Sequence, residues 1–67
     1  MTDVESKYFA GLVRNMDHYY RYADGPAYYD GRESCERALA EFARLMREYP
    51  DEAETIKTIW RENGGSP

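Results

Sequence analysis

Two long segments of this chain repeat their apolar residues at steps of three and four, and one short break separates them. The break, residues 23–27, contains the adjacent Gly25 and Pro26, which commonly end helices. Apolar side chains at such steps share one face of an α-helix, so both segments are predicted to be amphipathic helices. The first face contains Phe9, Leu12, Val13, Met16, Tyr19, Tyr20 and Ala23, and the second contains Cys35, Ala38, Leu39, Phe42, Leu45, Met46 and Tyr49. No segment alternates apolar and polar residues as a strand would, and the predicted fold class is therefore all-α.

A local capping pattern sets the start of the first helix. Thr2 and Glu5 have the spacing of a capping box, in which each side chain accepts a hydrogen bond from the other residue's amide. The first helix should therefore run over about 3–22 and end before Gly25 and Pro26.

Two more helices are predicted after the break. Asp30 is a favoured N-cap residue, which places the second helix over about 31–49. Pro50 can end that helix and begin a third one, because a proline in the first turn lacks only an amide that has no partner there. The third helix should run over about 50–62, and residues 63–67 should form a disordered tail. The expected architecture is an antiparallel helical hairpin with a short C-terminal helix.

The shortness of the chain limits how the fold can be stabilised. The predicted single domain, residues 1–62 of 67, has a small core, and Cys35 is the only cysteine, so no disulfide within the chain reinforces it. Three helices of these lengths cannot enclose all the side chains of their apolar faces. A second copy of the chain should cover part of that surface, and a homodimer is expected.

Charge and targeting signals exclude several classes of protein. The net charge of −4 is spread along the chain, without the basic patch typical of nucleic-acid-binding or membrane-surface proteins. No apolar run approaches the roughly 18 residues that cross a bilayer, and the acidic N-terminus lacks the apolar segment of a signal peptide. We expect a cytoplasmic protein with neither a nucleic-acid nor a membrane partner.

No group of residues in the sequence points to catalysis or metal binding. His18 is the only histidine, and no nucleophile, carboxylate pair or second metal ligand accompanies it at a suitable spacing. Lys7, Arg14 and Arg21 line the same side of the first helix and are interpreted with His18 as a solvated face. The chain is therefore predicted not to be an enzyme, and no cofactor or metal is expected.

Tyrosine is the residue type that most indicates binding. The chain has seven tyrosines, one tryptophan and two phenylalanines, and five of the tyrosines lie within residues 19–29. A tyrosine ring with one end buried and a hydroxyl in water is typical of protein interfaces. Tyr19 and Tyr20 are assigned to the core, since both lie on the apolar face of the first helix. The predicted partner-binding residues are Tyr8 on the flank of the first helix, Tyr22, the loop residues Tyr28 and Tyr29, and Arg32.

A short acidic helical chain with such a tyrosine-rich surface resembles the accessory proteins that phages make to disable host factors. In length and helix-loop-helix outline it is most similar to the phage-encoded anti-activators of quorum sensing, which are small homodimeric helical proteins. The resemblance covers most of the chain and assigns no individual residues. It implies binding to a LuxR-type transcriptional regulator, with a type IV pilus assembly ATPase as a further target.

Three functional hypotheses follow. The first is a protein-binding inhibitory module that blocks a host protein through its tyrosine-rich surface. The second is a DNA-binding regulator that uses the second helix, although the predicted gap of about seven or eight residues exceeds the turn of a helix-turn-helix. The third is a structural subunit of a larger assembly.

Overall fold

The structure is a computed structural model that describes residues 1–22 and 27–65, with the side chains of residues 1–19 and 31–65. It contains three α-helices, α1 (Asp3–Tyr22), α2 (Ala27–Glu48) and α3 (Ala53–Glu62), and a 3-10 turn at Pro50–Glu52. No strand occurs in the described parts of the chain. The all-α prediction is confirmed, and the bounds of α1 agree with the predicted range.

The predicted capping box begins α1. The Thr2 amide donates to Glu5 Oε1 at 3.0 Å, and the Glu5 amide donates to Thr2 Oγ1 at 3.1 Å. These two bonds use amides that the first turn of a helix otherwise leaves without partners. Asp3 and Glu5 also place negative charge at the positive end of the helix dipole.

The predicted start of the second helix is wrong. α2 begins at Ala27, so Asp30 lies inside the helix rather than at its N-cap, and Tyr28 and Tyr29 are helical rather than loop residues. Proline is favoured at a helix start, and Pro26 directly precedes Ala27 in the sequence. Gly31 weakens a helix by about 1 kcal/mol without breaking it.

The junction of α2 and α3 differs from the predicted boundary by a few residues. Tyr49 leaves the helix with φ −128° and ψ 60°, as a residue before proline is biased to do. Pro50 then starts the 3-10 turn instead of an α-helix, and α3 proper begins at Ala53. The predicted helices 31–49 and 50–62 are thus corrected to Ala27–Glu48 and Ala53–Glu62.

Two glycines end α3. Gly64 has φ 107°, its amide donates to the Arg61 carbonyl at 3.3 Å, and the Gly65 amide donates to the Trp60 carbonyl at 2.7 Å. These are the two hydrogen bonds of a Schellman motif, which needs a residue with positive φ after the helix. α3 ends at Glu62, where the third helix was predicted to end. Residues 63–65, predicted as part of a disordered tail, instead form this motif, with Gly65 buried, and the last two residues of the predicted tail lie outside the described residues.

All three helices contribute to one core. Its fully buried members are Phe9 and Val13 of α1, Ala38 and Leu45 of α2, and Ile56 of α3. Phe9 lies at the centre, with its ring centroid 6.1 Å from that of Phe42 and 6.4 Å from that of Trp60. Cys35 is half-buried and packs against this core, as its place on the apolar face of α2 predicted.

The first turn of α1 lies beside the last turn of α2. Glu5 accepts hydrogen bonds from Arg44 and Tyr49, and Phe9 contacts Phe42, so the two helices run antiparallel. Within the described parts of the chain, no helix is both long and apolar enough to cross a bilayer.

One prediction about the surface of α2 is wrong. Leu39, assigned to its apolar face, is 49% exposed; it lies at the margin of that face, about 100° around the helix from the buried Ala38. Among the charged residues of α2, Glu41 pairs with Arg44 at 2.7 Å, and Arg37 pairs with Glu33 at 2.6 Å.

Candidate functional site

The most exposed large apolar side chains of α1 are Val4 and Tyr8. Val4 is 75% and Tyr8 is 57% exposed, and the two stand four residues apart on one side of the helix. Gly11 and Asn15 continue this line along α1. We call these four residues the α1 outer face.

Gly11 makes the middle of the α1 outer face shallow. A Cβ atom built at Gly11 would meet no other atom within 4 Å, so nothing within the described chain requires a glycine at this position. A glycine in the middle of a helix destabilises it by about 0.5–1 kcal/mol relative to alanine. The backbone of α1 is therefore left uncovered at Gly11 by the rest of the described chain.

Charged residues border the α1 outer face on one side. Lys7 is exposed and pairs with Asp3 at 3.2 Å, and Arg14 donates to the Asn63 side chain at 3.1 Å. His18 is exposed, and its ring centroid lies 5.6 Å from that of Tyr19, with the two ring planes at 75°. These contacts agree with the interpretation of Lys7, Arg14 and His18 as a solvated face; the side chain of Arg21 lies outside the described residues.

On its other side, the α1 outer face borders a polar cluster that joins α1 to α2. The Arg44 guanidinium donates to Glu41 at 2.7 and 2.8 Å, to Glu48 at 2.8 Å and to Glu5 at 3.2 Å. The Tyr49 hydroxyl donates to Glu5 Oε1 at 2.9 Å. The Arg44–Glu48 pair is therefore one contact of a larger cluster, and the side chain of Glu41 within it is only 12% exposed.

The cluster changes how its members titrate. The Thr2 amide, then the Tyr49 hydroxyl and the Arg44 guanidinium, hold the pKa of the Glu5 carboxyl at about 2, below its ordinary value of 4.5. The hydrogen bond to Glu5 raises the pKa of the Tyr49 hydroxyl. The Glu41 carboxylate, followed by Glu5, raises the pKa of Arg44 above its already high value.

Replacing Glu5 by glutamine should therefore change how the stability of the fold depends on pH in the acid range. Because the folded chain lowers the pKa of Glu5, the ionised carboxylate stabilises the fold above pH about 4.5, and this contribution is lost as the pH falls to about 2. Thermal melts should show Glu5→Gln below wild type at neutral pH, with the difference shrinking across that window. Glutamine keeps an acceptor for the capping box, so α1 should still form.

Glu54→Gln provides the control, because the Glu54 side chain is exposed on α3 and forms an ion pair only with Lys57, at 3.8 Å, among the described residues. Its melting temperature should stay close to that of wild type at every pH. If the difference between wild type and Glu5→Gln were the same at pH 2 and pH 7, the Glu5 carboxylate would not be ionised preferentially in the folded chain.

Of the other four predicted partner-binding residues, the structure describes the side chain of one, Arg32. Arg32 is exposed on α2 and pairs with Glu36 at 3.4 Å. Tyr22 is the last residue of α1, and Tyr28 and Tyr29 belong to the first turn of α2; their side chains lie outside the described residues. Tyr8 and Arg32 are on different helices, and no described contact joins them.

The exposed position of Val4 could have been predicted from the sequence, whereas the polar cluster around Glu5 could not. Val4 lies within the capping box, between Thr2 and Glu5, and stands one turn before Tyr8, so its place on the outer face could be predicted from helical spacing. The contacts of Glu5 with Arg44 and Tyr49 were not readable, because they join residues 39 and 44 positions apart.

Among the described residues, no three His, Cys, Asp or Glu side chains come together as a metal ion would require. Compared with protein-family models, curated proteins and solved structures, the chain matches none of them.

Proposed function

We propose that this chain is a small inhibitory protein that binds a host protein and blocks one of its working surfaces. The observation that carries the proposal is the pair Val4 and Tyr8, which stand exposed on one side of α1 beside the open space at Gly11. Adjacent exposed apolar side chains on a small domain are characteristic of a contact surface. Tyrosine is also among the residue types that contribute most to binding energy in interfaces.

The partner class comes from the resemblance to phage anti-activators. It favours a LuxR-type quorum-sensing regulator, and a pilus assembly ATPase is the second candidate. Covering a DNA-binding or assembly surface inhibits such a protein without any chemical step. The proposal therefore includes no catalytic residue, cofactor or metal, and it places the binding in the bacterial cytoplasm.

The proposed partner-binding surface consists of the α1 outer face, which includes Tyr8, together with the residues predicted around the α1–α2 connection: Tyr22, Tyr28, Tyr29 and Arg32. We further propose that the inhibitor is a homodimer, because the three helices also leave the apolar side chain of Leu39 on α2 in solvent. A dimer would present the tyrosine surface twice, which suits a dimeric target such as a transcriptional regulator.

A DNA-binding regulator remains the second candidate, and one structural observation favours it. Only residues 23–26 separate α1 from α2, so the gap is four residues rather than the predicted seven or eight, and it fits a helix-turn-helix. Two features oppose it. α1 and α2 run antiparallel instead of crossing at about 90–120°, and the exposed side of α2 alternates Arg32 and Arg37 with Glu33 and Glu36, which would repel phosphates.

Inhibition can be tested by forming a complex between a purified LuxR-type regulator and its operator DNA, adding the chain, and measuring the bound DNA by gel shift. The wild-type chain should release the DNA in a titration, and Tyr8→Ala should need about ten to one hundred times more protein, as for a hot-spot tyrosine. Because Tyr8 is largely exposed, the helix content and melting temperature of the variant should stay close to wild type. Arg61→Ala, an exposed truncation on α3, is the control and should release DNA like wild type.

A second variant tests whether the partner approaches the backbone of α1. Gly11→Ala adds a methyl group in open space, so it should stabilise the free chain by about 0.5–1 kcal/mol while weakening partner binding. Full potency of both Tyr8→Ala and Gly11→Ala would show that the α1 outer face does not bind the regulator. Salt-sensitive binding of the chain itself to DNA in the same gels would favour the second candidate.

A further inference from the structure

The side of α2 that points away from the core has no partner within the described chain. Ala38 and Leu45 are buried, whereas Leu39, Ala40 and Ala43 are exposed. Leu39 is the only large apolar residue among those described that is exposed on α2. We call this side the α2 outer face; it consists of Glu36, Leu39, Ala40, Ala43 and Arg47.

The charges on this face are ordered symmetrically. Glu36 stands four residues before Ala40, and Arg47 stands four residues after Ala43. The midpoint between the two alanines is therefore also the midpoint between the two charges. Among the residues whose side chains are described, Glu36 pairs only with Arg32, at 3.4 Å and in solvent, and Arg47 forms no ion pair.

We propose that the α2 outer face binds a second copy of this chain, with the two α2 helices antiparallel about this midpoint. In a two-fold symmetric contact, every pair of residues occurs twice: if residue i of the first copy contacts residue j of the second, then residue j of the first copy contacts residue i of the second. Ala40 then faces Ala43 of the second copy, and Glu36 faces Arg47 of the second copy, each twice. This arrangement deepens the proposed function, which includes a homodimer, by assigning the dimer to a surface of its own.

The side chains at the centre suit such a contact. Alanines let two helices approach to the short end of the roughly 8–10 Å range of interaxial distances. Leu39, beside the alanine pair, would be removed from water by the second helix, which accounts for its exposure in the single chain. The two Glu36–Arg47 pairs flank this centre and fix the antiparallel direction, because a parallel partner would place like charges opposite each other.

The α1 outer face is not used in this arrangement. Val4, Tyr8 and Gly11 lie on another helix, so they stay available for the host protein in both copies. The contact involves one face of one helix and is thus small compared with interfaces of about 800 Å² per partner. The dimer should accordingly dissociate on dilution.

Sedimentation equilibrium over a micromolar concentration range, with charge-reversed variants, tests the assignment. Glu36→Arg and Arg47→Glu each replace two attractive pairs by two repulsive ones, and each should weaken the dimer by about tenfold or more. The double variant Glu36→Arg/Arg47→Glu restores opposite charges across the contact and should dimerise like wild type. Its net charge equals the wild-type value of −4, so the rescue separates the pairing from a general charge effect.

Glu54→Arg changes the net charge as much as Glu36→Arg does but lies on α3, so it should leave the dimer unchanged. A dimer that persists equally in both single variants would overturn this face while leaving the homodimer of the proposed function standing. Failure of the double variant to recover would overturn the antiparallel register. A wild-type chain that stays monomeric throughout the range would overturn the α2 contact and the homodimer together, whereas the gel-shift test of the α1 outer face would be unaffected.

Discussion

Replacing Phe9 by alanine is expected to unfold most of the chain. Phe9 is fully buried and its ring contacts Phe42 of α2 and Trp60 of α3, so it is the side chain through which the three helices meet. Removing a buried phenylalanine ring costs about 3–5 kcal/mol. At about 0.05–0.15 kcal/mol per residue, a 67-residue chain has only about 3–10 kcal/mol of stability in total.

The measurement is urea unfolding followed by far-ultraviolet circular dichroism, at one fixed protein concentration because a dimer makes stability depend on concentration. Val4→Ala is the matched control, since Val4 is apolar but 75% exposed and its truncation should change stability by no more than about 0.5 kcal/mol. An unfolding midpoint for Phe9→Ala close to that of Val4→Ala would show that the three helices do not depend on this ring.

Replacing Gly64 by alanine is expected to detach the end of α3 from α1. Gly64 has φ 107°, a conformation that costs a residue with a Cβ atom about 1–3 kcal/mol. The added Cβ would also lie 2.5 Å from Cγ and 2.6 Å from Cβ of Asp17, so the strain cannot be relieved by moving only the tip of a flexible side chain. Gly65→Ala should act similarly, because its Cβ would overlap the indole ring of Trp60.

Fluorescence of Trp60, the only tryptophan, reports this detachment directly, because its ring packs against Phe9 and Phe42. Gly64→Ala should shift the emission to longer wavelength and lower the unfolding midpoint. Gly11→Ala makes the same chemical change where the new methyl group meets nothing, and it should move the midpoint in the opposite direction. Equal effects of the two substitutions would show that neither the positive φ nor the contact with Asp17 matters.

The helices themselves were largely predictable, because their determinants are local. The Thr2–Glu5 capping box, the residue before Pro50 and the glycines after Asn63 each act over a few residues, and the corresponding boundaries are within three positions of those predicted. The start of α2 was misplaced because two local signals competed. Asp30 is a favoured N-cap residue, but Pro26 allows the helix to begin one turn earlier, at Ala27. Helix propensities differ too little between these two starting points to show which one the chain adopts.

The candidate site was predictable in one part. The flank position of Tyr8 on α1 follows from helical spacing, and the structure places that ring in solvent. The exposure of Leu39 was not predictable, since a residue at the margin of an apolar stripe is buried or exposed according to how far the neighbouring helix reaches. The contact of Glu5 with Arg44 was not predictable either, because the two residues come from different helices.

By itself the sequence determined that this chain is helical, roughly where the helices begin and end, and which side of each is apolar, because these properties depend on side chains three or four residues apart. Only the tertiary structure decided which apolar side chains stay in solvent, such as Val4, and which charged residues of different helices form contacts, such as Arg44 with Glu5. Those outcomes depend on the distance and rotation between helices, and packing around Phe9 sets both.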